Sequence, residues 1–120
     1  RRDVSQLYNY YNNLQLKVVE TKRFGDATQI YSHDKSYCLS AKDGYSSYYK
    51  MTENCHPDNT ETHFHYTSYK HLRALYFGAE TTYTEFYKYK LYYGIPYGVL
   101  SATKKQPDSW GEWDIESAKG

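Results

Sequence analysis

From residue 82 to residue 93 the chain alternates with a period of two. Tyr83, Glu85, Tyr87, Tyr89, Leu91 and Tyr93 fall on one parity, and Thr82, Thr84, Phe86, Lys88, Lys90 and Tyr92 on the other. A helix would scatter both sets around its axis, whereas a pleated strand sends successive side chains to opposite faces. Tyr, Thr and Phe also suit a pleated, half-buried surface. The stretch therefore predicts a long strand with one largely aromatic face and one mainly polar face. Residues 62–69 alternate in the same way, with Phe64 and Tyr66 against His63 and His65. Shorter apolar runs at 72–79 and 97–102 are set off by Lys70-His71, by residues 78–82 and by Gly94-Ile95-Pro96, as expected of antiparallel neighbours joined by tight turns.

Ahead of this block, Val4, Leu7, Tyr8, Tyr11 and Leu14 recur at three- and four-residue steps, and Asp3 or Ser5 can cap the first turn. This predicts one short amphipathic helix over residues 3–14. Strands are then expected at 16–21, 28–32, 36–42 and 45–51. Gly25 marks the first turn, His33-Asp34-Lys35 the second, and Asp43-Gly44 is the strongest two-residue hairpin signal. It returns the chain into a strand on which Tyr45, Ser47, Tyr49 and Met51 share a face. Residues 52–61 lack periodicity and read as an exposed loop. A last short strand at 110–116 would turn Trp113 and Ile115 inward, and residues 117–120 are expected to fray.

Residues 1–120 make one domain's worth of chain. The helix over 3–14 is followed by an antiparallel sheet over 16–116. Sequential hairpins make a meander, and a long twisted meander protects its edges by closing into a small barrel or folding into a sandwich. The expected class is mainly β. The alternatives are α+β, with the helix cradled by a curved sheet, and a β-trefoil. The tetrads Cys38-Leu39-Ser40-Ala41, Tyr76-Phe77-Gly78-Ala79 and Val99-Leu100-Ser101-Ala102 hint at threefold repetition. Their spacing is unequal, and the last two leave too little chain for a trefoil lobe.

With so few aliphatic residues, the 17 tyrosines must supply much of the core as well as of the surface. A phenol combines a large apolar body with a hydroxyl that needs water or a partner, so many rings belong at the rim of the core. Fifteen basic and 14 acidic residues leave a net charge of +1, too little to draw the chain to nucleic acid or to an anionic membrane surface. No apolar run is long enough to span a membrane as a helix. Cys38 and Cys55 are the only cysteines. An even pair in a small, polar, strand-rich chain predicts a disulfide, hence an oxidising, extracellular compartment, and a loop closure worth about 3 kcal/mol. The start at Arg1-Arg2-Asp3 suggests a processed form or a fragment of a larger secreted protein.

For catalysis the residues offer little. His63 and His65, two apart on a strand, would present two imidazoles to one metal ion. Small β-barrels of the cupin type follow such a pair with Glu, a Pro-x-Gly turn and a further His. Pro96-Tyr97-Gly98 resembles that turn, but Lys70 and His71 stand where the Glu is wanted and Ser101 where the last His should be. Carboxylates at Glu80, Glu85, Asp114 and Glu116 read as solvated surface charge, and neither a nucleophile elbow nor a phosphate-binding glycine loop is present. No cofactor is implied.

Tyr83, Tyr87 and Tyr89, with Trp110, are the candidate contact residues. Trp110 can stack on a partner or cover the rim of the core, and Trp113 is expected to plug it. The loop 53–59 is a second possible contact surface. The expected function is that of a secreted, non-enzymatic binding protein recognising a protein partner through a tyrosine-rich surface, where aromatic anchors dominate the energy. The alternatives are a metal-dependent small β-barrel enzyme or a small-ligand carrier using His63 and His65.

Overall fold

The computed structural model describes residues 2–4, 16–22, 24–90 and 96–119, without the side chains of residues 2, 88–90, 96, 97 and 117. Ten strands lie among them: β1 (Arg2–Asp3), β2 (Leu16–Glu20), β3 (Thr28–Ser32), β4 (Cys38–Ser40), β5 (Lys50–Thr52), β6 (His63–Tyr66), β7 (Leu72–Ala74), β8 (Tyr83–Lys90), β9 (Pro96–Thr103) and β10 (Trp113–Asp114). Strands β2 to β9 form one sheet of 8 strands in the order β5-β4-β3-β6-β7-β8-β9, with β2 paired to β3 off that path. Every pairing in it is antiparallel. The mainly β, antiparallel class expected from the alternation is the fold observed.

Closure into a barrel is not observed. Strands β5 and β9 end the path, and no strand pairing joins them among the described residues. Among the described residues two backbone hydrogen bonds link the approach to β5 with β9, from Tyr49 N–H to Leu100 O (2.7 Å) and from Ala102 N–H to Gly44 O (3.0 Å). The expected N-terminal helix is not seen either. Its first residue, Asp3, lies in β1, which pairs in parallel with β10 through Arg2↔Trp113 and Asp3↔Asp114. Residues 5–15 lie outside the described residues. The helical structure described consists of 3-10 turns, including Thr60–Thr62, Leu75–Phe77, Ser109–Gly111 and Glu116–Ala118. The end expected to fray is docked: Ala118 is buried, Lys119 bridges Val18, and its Nζ lies 2.7 Å from Glu20 Oε1.

Strand β3 shows why the sheet is thick with contacts. β2 runs along its whole length, β4 meets it at Tyr31, and β6 meets it at Thr28 and Gln29. Thr28, Gln29, Ile30 and Ser32 are all buried, so the alternation fails here. Gln29 tolerates burial because its side chain donates to Cys55 O and Thr62 Oγ1 and accepts from Tyr31 OH.

Two turns differ from expectation for steric reasons. Asp43-Gly44 does not form a two-residue hairpin; Gly44 N–H donates to Ala41 O and Ser47 N–H to Asp43 O, and β5 begins only at Lys50. Gly44 does not adopt a positive φ. A Cβ there would fall 2.4 Å from the Tyr49 ring, so the glycine is required by close packing and not by turn geometry. The strand expected over 72–79 stops at Ala74, coils through Leu75–Phe77 and reverses at Gly78, whose φ is 62°.

On β8 the two parities take opposite roles to their apparent polarity. Thr82, Thr84 and Phe86 face inward and are buried, whereas Tyr87 on the aromatic parity is exposed. The threonines are accommodated by phenols: Tyr45 OH lies 2.7 Å from Thr82 Oγ1 and Tyr49 OH 2.9 Å from Thr84 Oγ1. Trp113, fully buried, donates its indole N–H to Thr84 O. It packs edge-on to Phe86, within a core that also contains Val18, Ile30, Leu39, Phe64, Leu72 and Ile115.

A candidate binding cleft between Tyr87 and Trp110

Past Tyr83, which pairs with Arg73 of β7, strand β8 continues alongside β9. The segment 107–113 packs against this part of β8. Gly111 sits so close that a Cβ on it would lie 2.1 Å from Pro107 and 3.1 Å from Thr84 O. That approach places Trp110 beside β8. A cleft of about 240 Å³ opens there, lined by Glu85, Phe86, Tyr87, Asp108 and Trp110.

Each wall is set by a local interaction. Asp108 Oδ1 accepts the backbone N–H of Trp110 (3.0 Å) and so fixes the 3-10 turn that presents the indole. The Trp110 ring lies nearly parallel to Phe86, at 11° with centroids 6.0 Å apart. On the other side, Tyr87 OH donates to Glu85 Oε2 (2.8 Å), a bond between residues two apart on one strand face. This carboxylate holds the phenol proton, so the Tyr87 pKa is raised above its ordinary value. Tyr87 and Trp110 remain 44% and 41% exposed. Two large rings and two carboxylates thus face one opening, and no ion-pair partner within 4.0 Å of Glu85 or Asp108 occurs among the described residues.

Of the candidate contact residues, the structure brings Tyr87 and Trp110 together. Tyr83 lies away from the cleft, half-buried with its ring edge-on to His71 (5.4 Å). Tyr89 belongs to β8 and pairs with Tyr97, and its side chain lies outside the described residues. Asp108 and Glu85 were not legible as cleft residues. Asp108-Ser109-Trp110 does carry the signature of an aspartate capping a turn, which could have placed the indole.

The histidine pair is divided. His63 is fully buried, its Nδ1–H donating to Asn59 O (2.8 Å) and its ring meeting Phe24 edge-on, whereas His65 is exposed. Burial lowers the His63 pKa against the opposing pull of the Asn59 carbonyl and Asp58. Among the described residues no group of three or more His, Cys, Asp or Glu side chains is placed to hold a metal ion.

Cys38 and Cys55 form the expected disulfide. It anchors the loop before the Thr60–Thr62 turn, and that loop is further ordered by Asn59 Nδ2 donating to Asn54 O, His56 N–H to Asn54 Oδ1 and Thr62 Oγ1 to Asn59 O. Among the described residues no helix is long and apolar enough to cross a membrane. Comparison of the chain with protein-family models, with curated proteins and with solved structures finds no match.

Proposed function

We propose that the chain is a secreted, non-enzymatic binding domain that recognises a protein partner through the cleft between Tyr87 and Trp110. The observation that carries this reading is the presentation of two exposed rings, from β8 and from the turn after Pro107, on either side of one opening. A phenol held by its hydroxyl bond to Glu85, and an indole presented from a turn whose backbone Asp108 caps, lose little freedom on binding, which is what a contact anchor requires. The cleft, at about 240 Å³, falls below the usual range of roughly 300–1,000 Å³ for sites that enclose a whole small ligand. A side chain projecting from a larger partner fits that size better. The disulfide supports an oxidising, extracellular setting.

Panning a random peptide display library against the protein, with parallel selections on Trp110→Ala and Tyr87→Ala, tests the reading. Trp110 and Tyr87 are exposed, so both variants are expected to keep the wild-type circular dichroism spectrum and unfolding midpoint. Peptides that enrich on the wild type and are lost on both variants support a protein-recognition cleft. Enrichment that ignores both substitutions overturns it.

A further inference from the structure

We propose that the outward face of the sheet carries a site for a tetrahedral oxyanion of the phosphate class, centred on Arg73 and sharing no residue with the cleft. Register sets His65, Arg73 and Tyr83 side by side on β6, β7 and β8. Their parity points away from the core, in which the neighbouring Phe64, Ala74 and Thr84 are buried. Each of the three side chains can donate: an imidazole N–H in either charge state, a guanidinium fork and a phenol. Among the described residues none of the three side chains has a hydrogen-bond acceptor, and Arg73 makes no ion pair. Glu85, the acid of β8, holds the Tyr87 hydroxyl instead. The Arg73 Nε is sealed from solvent without an acceptor, whereas the two terminal nitrogens are not sealed, so the fork opens outward. On one side of it the Tyr83 ring is braced edge-on by the buried His71 (5.4 Å), itself stacked with Tyr69.

This set of donors selects by charge and by shape. A guanidinium meets an oxyanion through two parallel N–H···O bonds. A carboxylate bound in that way lies flat in the plane of the fork with both oxygens on Arg73. A phosphate group bound in the same way directs its remaining oxygens out of that plane, toward His65 and Tyr83. Strands about 4.8 Å apart put those two donors one strand spacing to either side of the guanidinium, within reach of long side chains. A cationic ligand would meet like charge, and an apolar one would leave all three donors unmet.

The test titrates the intact chain with inorganic phosphate, phenyl phosphate and acetate at constant ionic strength, followed by backbone amide NMR shifts. Phosphate or its phenyl ester is expected to shift the amides of His65, Arg73 and Tyr83 saturably, with a dissociation constant on the order of millimolar for so small a probe. Acetate should bind at least tenfold more weakly. Tighter binding of phenyl phosphate assigns the site to a monoester carried on a larger molecule, and tighter binding of the inorganic ion to a free anion. Arg73→Gln should abolish saturable binding, and Arg73→Lys, which keeps the charge without the fork, should weaken it at least tenfold. Tyr83→Phe and His65→Ala each remove one flanking donor, and each should weaken phosphate binding about threefold or more while leaving acetate unchanged. The assignment is overturned by acetate binding as tightly as phosphate, or by no saturable shift at these amides with either phosphate probe. It is overturned equally by unchanged phosphate binding in a folded Arg73→Gln protein or, where that variant does not fold, in both Tyr83→Phe and His65→Ala.

Discussion

The hydroxyl of Tyr49 lies 2.9 Å from that of Thr84 in the buried interior, joining the approach to β5 to the inward face of β8. Tyr49 is fully buried, and loss of hydration pushes its phenol pKa well above the ordinary range despite the bond from Thr84. Threonine on this parity gives β8 a polar appearance in the sequence, yet the same hydroxyls let phenols enter the core with their hydrogen-bonding groups satisfied.

A double-mutant cycle follows from that pairing. Tyr49→Phe and Thr84→Val each remove one partner and leave the other hydroxyl buried and unpaired, at a cost of about 1–3 kcal/mol apiece. The combined variant removes both polar groups with little change in shape, so its loss should be clearly smaller than the sum of the two. Urea unfolding of the four proteins checks this, and strict additivity would show that the hydroxyls do not depend on one another.

The same pairing marks the limit of what the sequence made legible. Period-two alternation placed β8 well because a pleat needs nothing but sidedness to be read, whereas β3 was bounded only by the turn signals on either side of it. It did not say which side of β8 was inner, since that depends on Tyr45 and Tyr49 arriving from nearly forty residues away to satisfy Thr82 and Thr84. The disulfide was legible from cysteine count, and Tyr87 and Trp110 from residue type. Their meeting was not, because it rests on Gly111 packing against Thr84 O, a contact without local periodicity. His63 and His65 share a parity, yet the Asn59 carbonyl and Phe24 enclose only the first.

Replacing Cys38 and Cys55 together by Ala opens a loop that spans 17 residues of sequence. The chain-entropy model puts the loss at about 3 kcal/mol, or roughly 10 °C in melting temperature for a domain this size. Amides of residues 54–59 should lose hydrogen-exchange protection before those of β8 and β9, because the bridge anchors that loop to β4. Thermal scans with and without reductant provide the check; a reduced protein melting within a degree or two of the oxidised one would contradict it.

His63 predicts an acid-sensitive stability. Its folded-state pKa is lowered by burial, so as pH falls the unfolded chain takes up this proton before the folded chain does. The contribution is fully present above about pH 6.5, the ordinary imidazole value, and declines as pH falls through that point toward the folded value, by at most about 1.4 kcal/mol per pH unit. His63→Gln keeps a donor for Asn59 O but cannot titrate there. Unfolding midpoints compared between pH 7.5 and about 5.5 should therefore differ less in the variant. Parallel behaviour of the two proteins would assign the acid sensitivity to other groups.

Gly98 ties the sheet to the cleft. It pairs with Lys88 between β9 and β8, and a Cβ on it would lie 2.0 Å from the Phe86 ring. That ring is held between Trp110, nearly parallel to it, and Trp113, edge-on to it. Gly98→Ala must therefore displace Phe86 toward one indole or the other, at a cost of about 1–3 kcal/mol for overpacking. Movement toward Trp110 reshapes the cleft, so tryptophan emission should change along with stability. Phe86→Leu in the same chain relieves the contact by shortening the side chain, and it should recover part of the stability without restoring the wall against which Trp110 lies. A Gly98→Ala protein with wild-type stability and emission would mean that β9 can move away from β8 and that Phe86 is not fixed by it.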